Sequence, residues 1–553
     1  MSAPISNLIH GTRAFEFASA LVLAAMVAAL ARARARAAGK YVLALVFFFP
    51  VTLVAGLTAA IMSPLLRELG IKSNSVLQDI VGATVVAGIG YAAGWWLAGH
   101  GRPAPVRYLR GAVMSASRSV ADTGLRIAGV SIPYEDETKH FKLIGTTGTG
   151  KSTAIYEIID GALARGDRAI IADPDGGYLR RFHDPRRGDV ILNPWSVEGR
   201  RWDIFSEIYR DFDIEHIVRA LVPDGGDPDR IWSQYARTFL SELIRQLIRA
   251  KVGNDIQLFQ LVTSASEKEL RELLTGTPAG PFLATGNERM FGSLRGVASS
   301  AIGVLQHTTA QEAPPFSIRQ WVRQGAAQQN GNRGGVLFLP YKAGEIAALR
   351  SVISAWMRLG IFEAMDAQEG DQRLWFVVDE LDALGEIDGL KDALARLRKF
   401  GGRCILGFQS IAQVSGTYGR GSADTIVENC GNTLILRCSA SEKGGTSEFA
   451  SKLIGQRDVL HTMHGRSSKP GEWGPTHSTS QFLRTEPAVM ASEIERLPDL
   501  AGFLKLASIP DWMTVHLKPL VQLTGTSATQ STGSTQPPSS EAPSAHTPHT
   551  RQA

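Results

Sequence analysis

The chain is poor in cysteine for its length, and no pattern in it is typical of covalent catalysis or of a zinc site. Only three of its 553 residues are cysteine, Cys404, Cys430 and Cys438, and their spacing is not that of metal ligands. This excludes a disulfide framework and indicates a reducing compartment in which the thiols pack in a core. His461 and His464 are expected in a surface loop and not in a metal site.

Positive charge is concentrated at the amino-terminal end. The formal net charge is +5, and residues 1–110 contain ten lysines and arginines against three acidic residues. The rest of the chain is therefore close to neutral. A basic excess beside apolar segments is typical of a membrane anchor, and it is no evidence of a DNA-binding surface on the body.

Three apolar stretches occupy the first hundred residues, at positions 15–31, 41–66 and 80–98. The second and third are long enough to span a bilayer, and the third ends in the Trp95–Trp96 pair, which is typical of a membrane interface. The first is short enough to lie in the interface, so two or three spans are predicted. Its basic residues follow the apolar stretch, which argues against a cleaved signal peptide. The basic flanks predict that the large body is cytoplasmic.

The most specific motif is GTTGTGKS, which lies between a short apolar run and a helical pattern. Its glycines let successive backbone N–H groups face phosphates, and the following helix directs its positive end to them. Lys151 is expected to reach the β- and γ-phosphates, and the Ser152 hydroxyl to hold Mg²⁺. The residues predicted to bind ATP are Gly145, Thr146, Thr147, Gly148, Thr149, Gly150, Lys151, Ser152 and Thr153.

A second motif, LWFVVDE, is a buried strand that ends in two carboxylates. Asp379 is expected to order the Mg²⁺ shell, and Glu380 to polarise an attacking water. Lys151 and Asp379 are 228 positions apart, which is too far for a compact mononucleotide fold. An inserted domain is therefore required between the two motifs.

Three further residues have two interpretations each. Gln409 ends the run CILGFQ, where it either bonds a γ-phosphate and a water or caps its own turn. Asp173 ends another strand, where it either touches the metal shell or makes the turn that DPDG encodes. Arg398 belongs to a basic face expected near the site, either as an arginine supplied to a neighbouring subunit or as part of a solvated helix end. That face also includes Arg396, Lys399 and Arg403.

From residue 141 onward, short apolar runs alternate with helical patterns, which predicts an α/β domain with a mainly parallel sheet. The candidate strands are 141–144, 169–173, 190–192, 336–341, 374–379, 404–407, 433–437 and 503–507. Apolar residues at three-and-four spacing fill the segment 211–321, which indicates an all-helical insertion.

These patterns divide the chain into five parts. The predicted parts are a transmembrane anchor (1–104), a nucleotide-binding domain in two pieces (105–210 and 322–520), the helical insertion (211–321) and a disordered tail (521–553). The tail either is a solvated end or binds a partner.

The motifs resemble those of the type IV secretion coupling proteins, the TraG/TraD-like ATPases of bacterial conjugation. The similarity covers about residues 105–515 and rests on GTTGTGKS, DPDGG, FSIRQW before LFLPY, and the stretch from VVDELDALG to GFQSIAQ. It implies a RecA-like nucleotide domain with an all-helical domain, assembled as a homo-hexamer at the inner membrane. Gln409 matches the family's glutamine, and Arg398 falls where an inter-subunit arginine is proposed.

The resemblance also implies a function. Such a protein recruits a relaxase bound to single-stranded DNA and drives the complex through a type IV secretion channel by hydrolysing ATP. A possible third membrane segment departs from the two spans that are usual in the family. Two alternatives stay open: a motor that exports protein effectors without DNA, and a receptor or scaffold whose assembly nucleotide controls.

Overall fold

The computed structural model describes residues 19–29, 50–52, 54, 75–98, 107–116, 124–223, 230–308, 311–327, 335–366, 370, 372–442, 444–467 and 476–519. The predicted tail, 521–553, lies outside this part of the chain. Contacts divide the protein into two compact units. One comprises Met1–Arg110 and Asp458–Thr485, and the other comprises Gly111–Arg457 and Glu486–Ala553.

The amino-terminal unit contains helical residues 19–29 and the helix Ser75–Ala98. Gly90 and Gly94 allow the two helices to approach closely. A Cβ atom at Gly94 would lie only 2.5 Å from the carbonyl oxygen of Met26. The predicted segments 15–31 and 41–66 lie partly or mostly outside the described residues. Within the described part, no helix combines the length and the apolarity needed to cross a bilayer.

A three-stranded sheet has the order Arg107–Gly111, Gln456–Ser467, Thr476–Pro487. His461 and His464 lie in its middle strand, so the prediction of a surface loop for them is wrong.

The main sheet of the larger unit has ten strands. From one edge to the other they are Met114–Ala116, Trp512–His516, Ala501–Lys505, Asn432–Ile435, Phe141–Ile144, Gly402–Phe408, Leu374–Val378, Arg168–Pro174, Val336–Tyr341 and Val190–Ile191. The seven strands from Asn432–Ile435 to Val190–Ile191 are parallel, and Ala501–Lys505 pairs antiparallel to that run. All eight predicted strands are present, so the mainly parallel sheet is confirmed.

Both faces of this sheet are covered, which explains why its central strands read as continuous apolar runs. In Leu374–Val378 all five residues are buried. Phe376 packs in the core on one face, and Trp375 and Val377 pack in the core on the other. Burial of each such side chain contributes about 1.5–3 kcal/mol. The thiols of Cys404, Cys430 and Cys438 are buried too, as expected for core residues.

The segment between the strands Val190–Ile191 and Val336–Tyr341 is mainly helical. Its helices are Asp211–Leu221, Arg230–Arg249, Asp255–Thr263, Glu267–Leu274, Glu288–Ile302, Leu305–Thr308 and Ile318–Ala327. Phe239 of the longest one packs edge-on against Phe291, with ring centroids 5.4 Å apart. The compact units do not separate this segment from the sheet, so the boundaries at 211 and 321 stay a prediction.

The other elements of the larger unit flank the sheet. Its remaining α-helices are Tyr134–Glu137, Lys151–Arg165, Gly177–Phe182, Ile346–Asp366, Leu390–Arg396, Ile411–Tyr418, Arg420–Asn429, Gly445–Ile454 and Ala491–Glu495. Two small strand pairs join Arg126–Ile127 to Val130–Ser131 and Arg201–Trp202 to Pro315–Phe316.

Candidate nucleotide-binding site

The glycine loop connects the central strand Phe141–Ile144 to the helix Lys151–Arg165. Gly148 and Gly150 have φ angles of +77° and +113°, in the left-handed region that glycine adopts without steric cost. The helix therefore begins at the end of a tight turn, and its first N–H groups face the concave side of the loop. This is the geometry of an anion-binding helix terminus.

Backbone bonds from the neighbouring carboxyl-terminal segments hold the loop in place. The Thr146 N–H donates to the carbonyl of Arg437 at 2.9 Å, and the Leu500 N–H donates to the carbonyl of Thr149 at 3.0 Å. Leu500 has a φ of +64°, which is uncommon for a residue with a side chain. The carbonyl of Thr149 is thus engaged outside the loop.

Lys151 lies at the base of the loop and is bonded to it. Its Nζ donates to the carbonyls of Gly145 at 2.7 Å and of Thr146 at 3.4 Å. Burial lowers the pKa of Lys151, and the negative charges of Asp379 and Glu380 oppose that shift. The loop carbonyls therefore hold the ammonium group close to the carboxylates of Asp379 and Glu380. A bound phosphate can replace those carbonyls as its hydrogen-bond partner.

Ser152 and Asp379 meet directly. The Ser152 hydroxyl donates to Asp379 Oδ2 at 2.6 Å, so the two motifs converge as the sequence predicts. Asp379 is 4% exposed, and among the described residues its Oδ1 is buried without a hydrogen-bond partner. A hydroxyl beside a carboxylate with an unused oxygen fits Mg²⁺, which prefers oxygen ligands. Thr153 follows, half-buried in the first turn of the helix.

Glu380 and Gln409 form a chain of side-chain bonds that ends on the loop. The Gln409 Nε2 donates to Glu380 Oε1 at 2.8 Å, and the Thr147 hydroxyl donates to Gln409 Oε1 at 2.8 Å. Gln409 therefore does not cap its own turn. Burial raises the pKa of Glu380, and the bond from Gln409 opposes that shift. A carboxylate with a raised pKa beside the phosphate loop is suited to accept a proton.

Asp173 serves the turn rather than the metal shell. Its Oδ1 accepts from the Tyr178 N–H at 3.0 Å, and its Oδ2 accepts from the Leu179 N–H at 2.7 Å. These bonds satisfy the first amides of the helix Gly177–Phe182. Burial raises the pKa of Asp173 to about 6.

The structure corrects the expected position of the basic face. Arg398 is exposed in the turn before the strand Gly402–Phe408, whereas Gln409 follows the other end of that strand. A seven-residue strand is about 23 Å long, so Arg398 is remote from the phosphate loop of its own chain. Arg403 is not on the surface at all: it is 0% exposed, and its Nε donates to Glu137 Oε2 at 2.8 Å.

Two tyrosines near the acidic side chains of the site were not predicted from the sequence. The Tyr178 hydroxyl donates to Asp379 Oδ2 at 3.0 Å. Burial, followed by the charges of Glu380 and Asp379, raises the pKa of Tyr341. Only the DPDGGY spacing, which fixes Tyr178 five positions after Asp173, could have indicated the first. Without that spacing, a buried tyrosine is interpreted as a residue of the hydrophobic core.

A known protein family and several known proteins are similar to this chain. Residues 124–518 match the family described as "Type IV secretion-system coupling protein DNA-binding domain". The chain is 30% identical over 388 residues to the Coupling protein TraD of Escherichia coli (strain K12). That alignment covers 70% of this chain and 53% of TraD, so the chain spans about half the length of this relative.

Solved structures of TrwB share the fold. The unbound bacterial conjugative coupling protein TrwBdeltaN70 is 31% identical, with a TM-score of 0.65, over 74% of this chain and 94% of its own. TrwB with ADP and Mg²⁺ is also 31% identical, with a TM-score of 0.65, over 75% of this chain and 95% of its own. A further TrwB structure contains a non-hydrolysable ATP analogue. The family match covers more than half of the chain, and the chain belongs to the type IV secretion coupling proteins.

Proposed function

We propose that this chain is an ATPase that couples nucleotide hydrolysis to the transfer of a relaxase–DNA complex into a type IV secretion channel. The observation that supports hydrolysis, beyond binding, is the position of Glu380. It lies next to Asp379 at the strand end, and Gln409 links it to Thr147 of the phosphate loop. A scaffold that only binds nucleotide has no use for a half-buried carboxylate at this place.

Each residue has a distinct role in the proposed reaction. Lys151 leaves the loop carbonyls and neutralises oxygens of the β- and γ-phosphates. Ser152 and Asp379 would hold Mg²⁺, which would supply positive charge to the phosphates. Glu380 accepts the proton of the attacking water, and Gln409 orients that carboxylate through its amide. Each of these roles uses a contact or a short movement from the observed side-chain position.

Assembly and location are also proposals. In a homo-hexamer, Arg398 of one subunit would reach the phosphates bound by its neighbour, since it lies far from the loop of its own chain. We place the anchor, residues 1–104, in the bacterial inner membrane, with the bulk of the chain in the cytoplasm. The close approach of Gly90 and Gly94 to the backbone around residues 22–26 supports this, because small residues at such spacing are frequent where membrane helices pack.

The test is ATP hydrolysis and nucleotide binding by the full-length, detergent-solubilised chain. We expect Lys151→Ala to abolish both, and Glu380→Gln to abolish hydrolysis while binding persists. Glu428→Gln, an exposed glutamate on the helix Arg420–Asn429, is the matched control and should retain full turnover. Unchanged turnover in either site variant contradicts the assignment.

The same assay separates the two alternatives. Single-stranded DNA at low salt is expected to stimulate hydrolysis by the wild-type chain, because phosphate contacts are strong at low ionic strength. Hydrolysis that DNA does not change would favour the export of protein effectors. Binding without any hydrolysis in the wild type would favour a nucleotide-controlled receptor.

A further inference from the structure

The hydroxyl of Tyr178 is aimed at Asp379, the side chain proposed to bind magnesium. It donates to Asp379 Oδ2 at 3.0 Å, and the same oxygen accepts from Ser152 at 2.6 Å. Tyr178 is 1% exposed and Asp379 is 4% exposed, so both groups are shielded from water. A buried phenol in such a place needs a hydrogen-bond partner, and here that partner is the carboxylate.

The backbone that carries Tyr178 is fixed independently. Asp173 accepts from the amides of Tyr178 and Leu179, which holds the start of the short helix against the strand Arg168–Pro174. That strand pairs with Leu374–Val378, the strand that ends next to Asp379. The two strand ends therefore set the distance between the phenol and the carboxylate.

The ring of Tyr178 is fixed from its other side. It packs against Tyr156 of the helix that follows the phosphate loop, with ring centroids 4.6 Å apart. The position of the phenol is thus determined by the same helix that carries Ser152. A shift of either strand or of this helix would move the phenol relative to Asp379.

We propose that Tyr178 is a positioning residue for magnesium: its hydroxyl donates to Oδ2 of Asp379 and holds the carboxylate in the orientation in which it would bind the cation. The inference rests on the proposed nucleotide site. Magnesium demands near-ideal octahedral geometry, so the orientation of a carboxylate ligand matters more for it than for larger cations. If the Ser152 hydroxyl served magnesium and no longer donated to Asp379, Tyr178 would remain as the donor that keeps the carboxylate in place.

The test is the magnesium dependence of nucleotide binding by the full-length chain. A fluorescent ADP analogue is titrated with Tyr178→Phe, which removes only the hydroxyl, at a series of MgCl₂ concentrations and in EDTA. We expect the magnesium concentration at half-saturation to rise about 10-fold, the range known for residues that orient metal ligands. Affinity in EDTA should stay within about twofold of wild type, because the phosphate loop is intact.

Tyr156→Phe is the matched control, since it removes a hydroxyl from the adjacent ring, and its magnesium dependence should equal that of wild type. Thermal unfolding of each variant reports on the fold separately. A Tyr178→Phe chain with wild-type magnesium dependence overturns the inference, and so does an equal loss of affinity with and without magnesium. Wild-type binding that does not depend on magnesium also overturns the inference. If the wild-type chain binds no nucleotide at all, the proposed nucleotide site itself fails, which is a distinguishable outcome.

Discussion

Ser152 and Asp379 share a hydrogen bond of 2.6 Å although they are 227 positions apart in the chain. The parallel sheet makes this contact, since the strand before the phosphate loop and the strand before Asp379 both border Gly402–Phe408. Their carboxyl ends therefore meet at one edge, as ligand-binding residues do in open α/β sheets. The long helical segment between the two motifs does not disturb this arrangement.

Replacing Gln409 should slow catalysis without weakening nucleotide binding. We expect Gln409→Ala to lower kcat about 100-fold, because Glu380 loses the amide that orients it. The amide also favours the ionised carboxylate, so its removal should raise the pKa of Glu380 and shift the acidic limb of the kcat profile to higher pH. Steady-state ATP hydrolysis between pH 5 and 9 measures both effects. Gln413→Ala, an exposed glutamine nearby, should behave as wild type, and a variant profile identical to wild type would remove Gln409 from the mechanism.

Mixing inactive subunits tests whether Arg398 acts across an interface. Arg398→Ala should lower turnover by at least about 100-fold with nucleotide affinity preserved, since an arginine at the transferring phosphate contributes 10³–10⁵ in rate in other enzymes. Mixtures of Lys151→Ala and Arg398→Ala chains should hydrolyse ATP faster than either chain alone, because a ring then contains sites with both groups intact. Lys399→Ala, exposed in the same turn, is the control. Mixtures as inactive as their parents would exclude a role in trans.

Removal of the buried Arg403 should destabilise the protein strongly. Its guanidinium is 0% exposed and bonds Glu137, which Arg165 also contacts at 2.7 Å. Arg403→Leu leaves the buried Glu137 carboxylate with the two hydrogen bonds from Arg165, and we expect a loss of about 3–5 kcal/mol in the free energy of unfolding. Urea unfolding of the full-length chain measures this loss, with Lys399→Leu as the exposed control. A loss below about 1 kcal/mol would show that Arg165 alone satisfies Glu137.

His140 should make stability depend on pH. Its ring is buried and neutral, with Nε2 bonded to the Leu394 carbonyl at 2.9 Å and Nδ1 accepting from the Cys404 N–H at 3.1 Å. Burial, with smaller contributions from nearby arginines, lowers the pKa of His140 from 6.5 to about 4. Protonation of Nδ1 would also break the hydrogen bond from the Cys404 N–H, because two donors would then face each other.

Because the pKa of His140 is lower in the folded chain than in the unfolded one, the unfolded state takes up a proton first as pH falls. Stability is therefore present above pH 6.5, declines between about 6.5 and 4, and the total loss is about 3 kcal/mol. His140→Asn should lack this loss, and asparagine tolerates the φ of +56° at this position. The comparison is the difference between wild type and variant in urea unfolding from pH 7 to 4. The raised pKa of Asp173 makes an opposite contribution to the pH dependence of stability, which is the same in both chains and cancels in the difference. Plots of unfolding free energy against pH that run parallel for wild type and variant would contradict the assignment.

Local patterns in the sequence were sufficient for the strands and for the two nucleotide motifs. A short, continuous apolar run such as Leu374–Val378 is typical of a strand in a sheet that is covered on both faces. The turn of GTTGTGKS requires glycine at the positions with positive φ. Lys151, Ser152 and Asp379 could therefore be assigned from spacing and context. Met114–Ala116 and Trp512–His516 could not, because such short strands carry little periodic signal.

What the tertiary structure alone decided is which side chains meet. From the sequence, Tyr178 is interpreted as an aromatic core residue. In the structure, the order of the strands places its hydroxyl within hydrogen-bonding distance of Asp379. From the sequence, Arg403 is interpreted as an exposed cation. In the structure it bonds Glu137, which lies 266 positions earlier in the chain. Arg398 follows the strand Leu374–Val378 closely in sequence but lies at the amino-terminal ends of the parallel strands, away from the phosphate loop, because the chain crosses back before Gly402–Phe408 begins. A residue's type and neighbours in the chain set its local conformation, whereas its partners depend on strand order and register, which the local pattern does not contain.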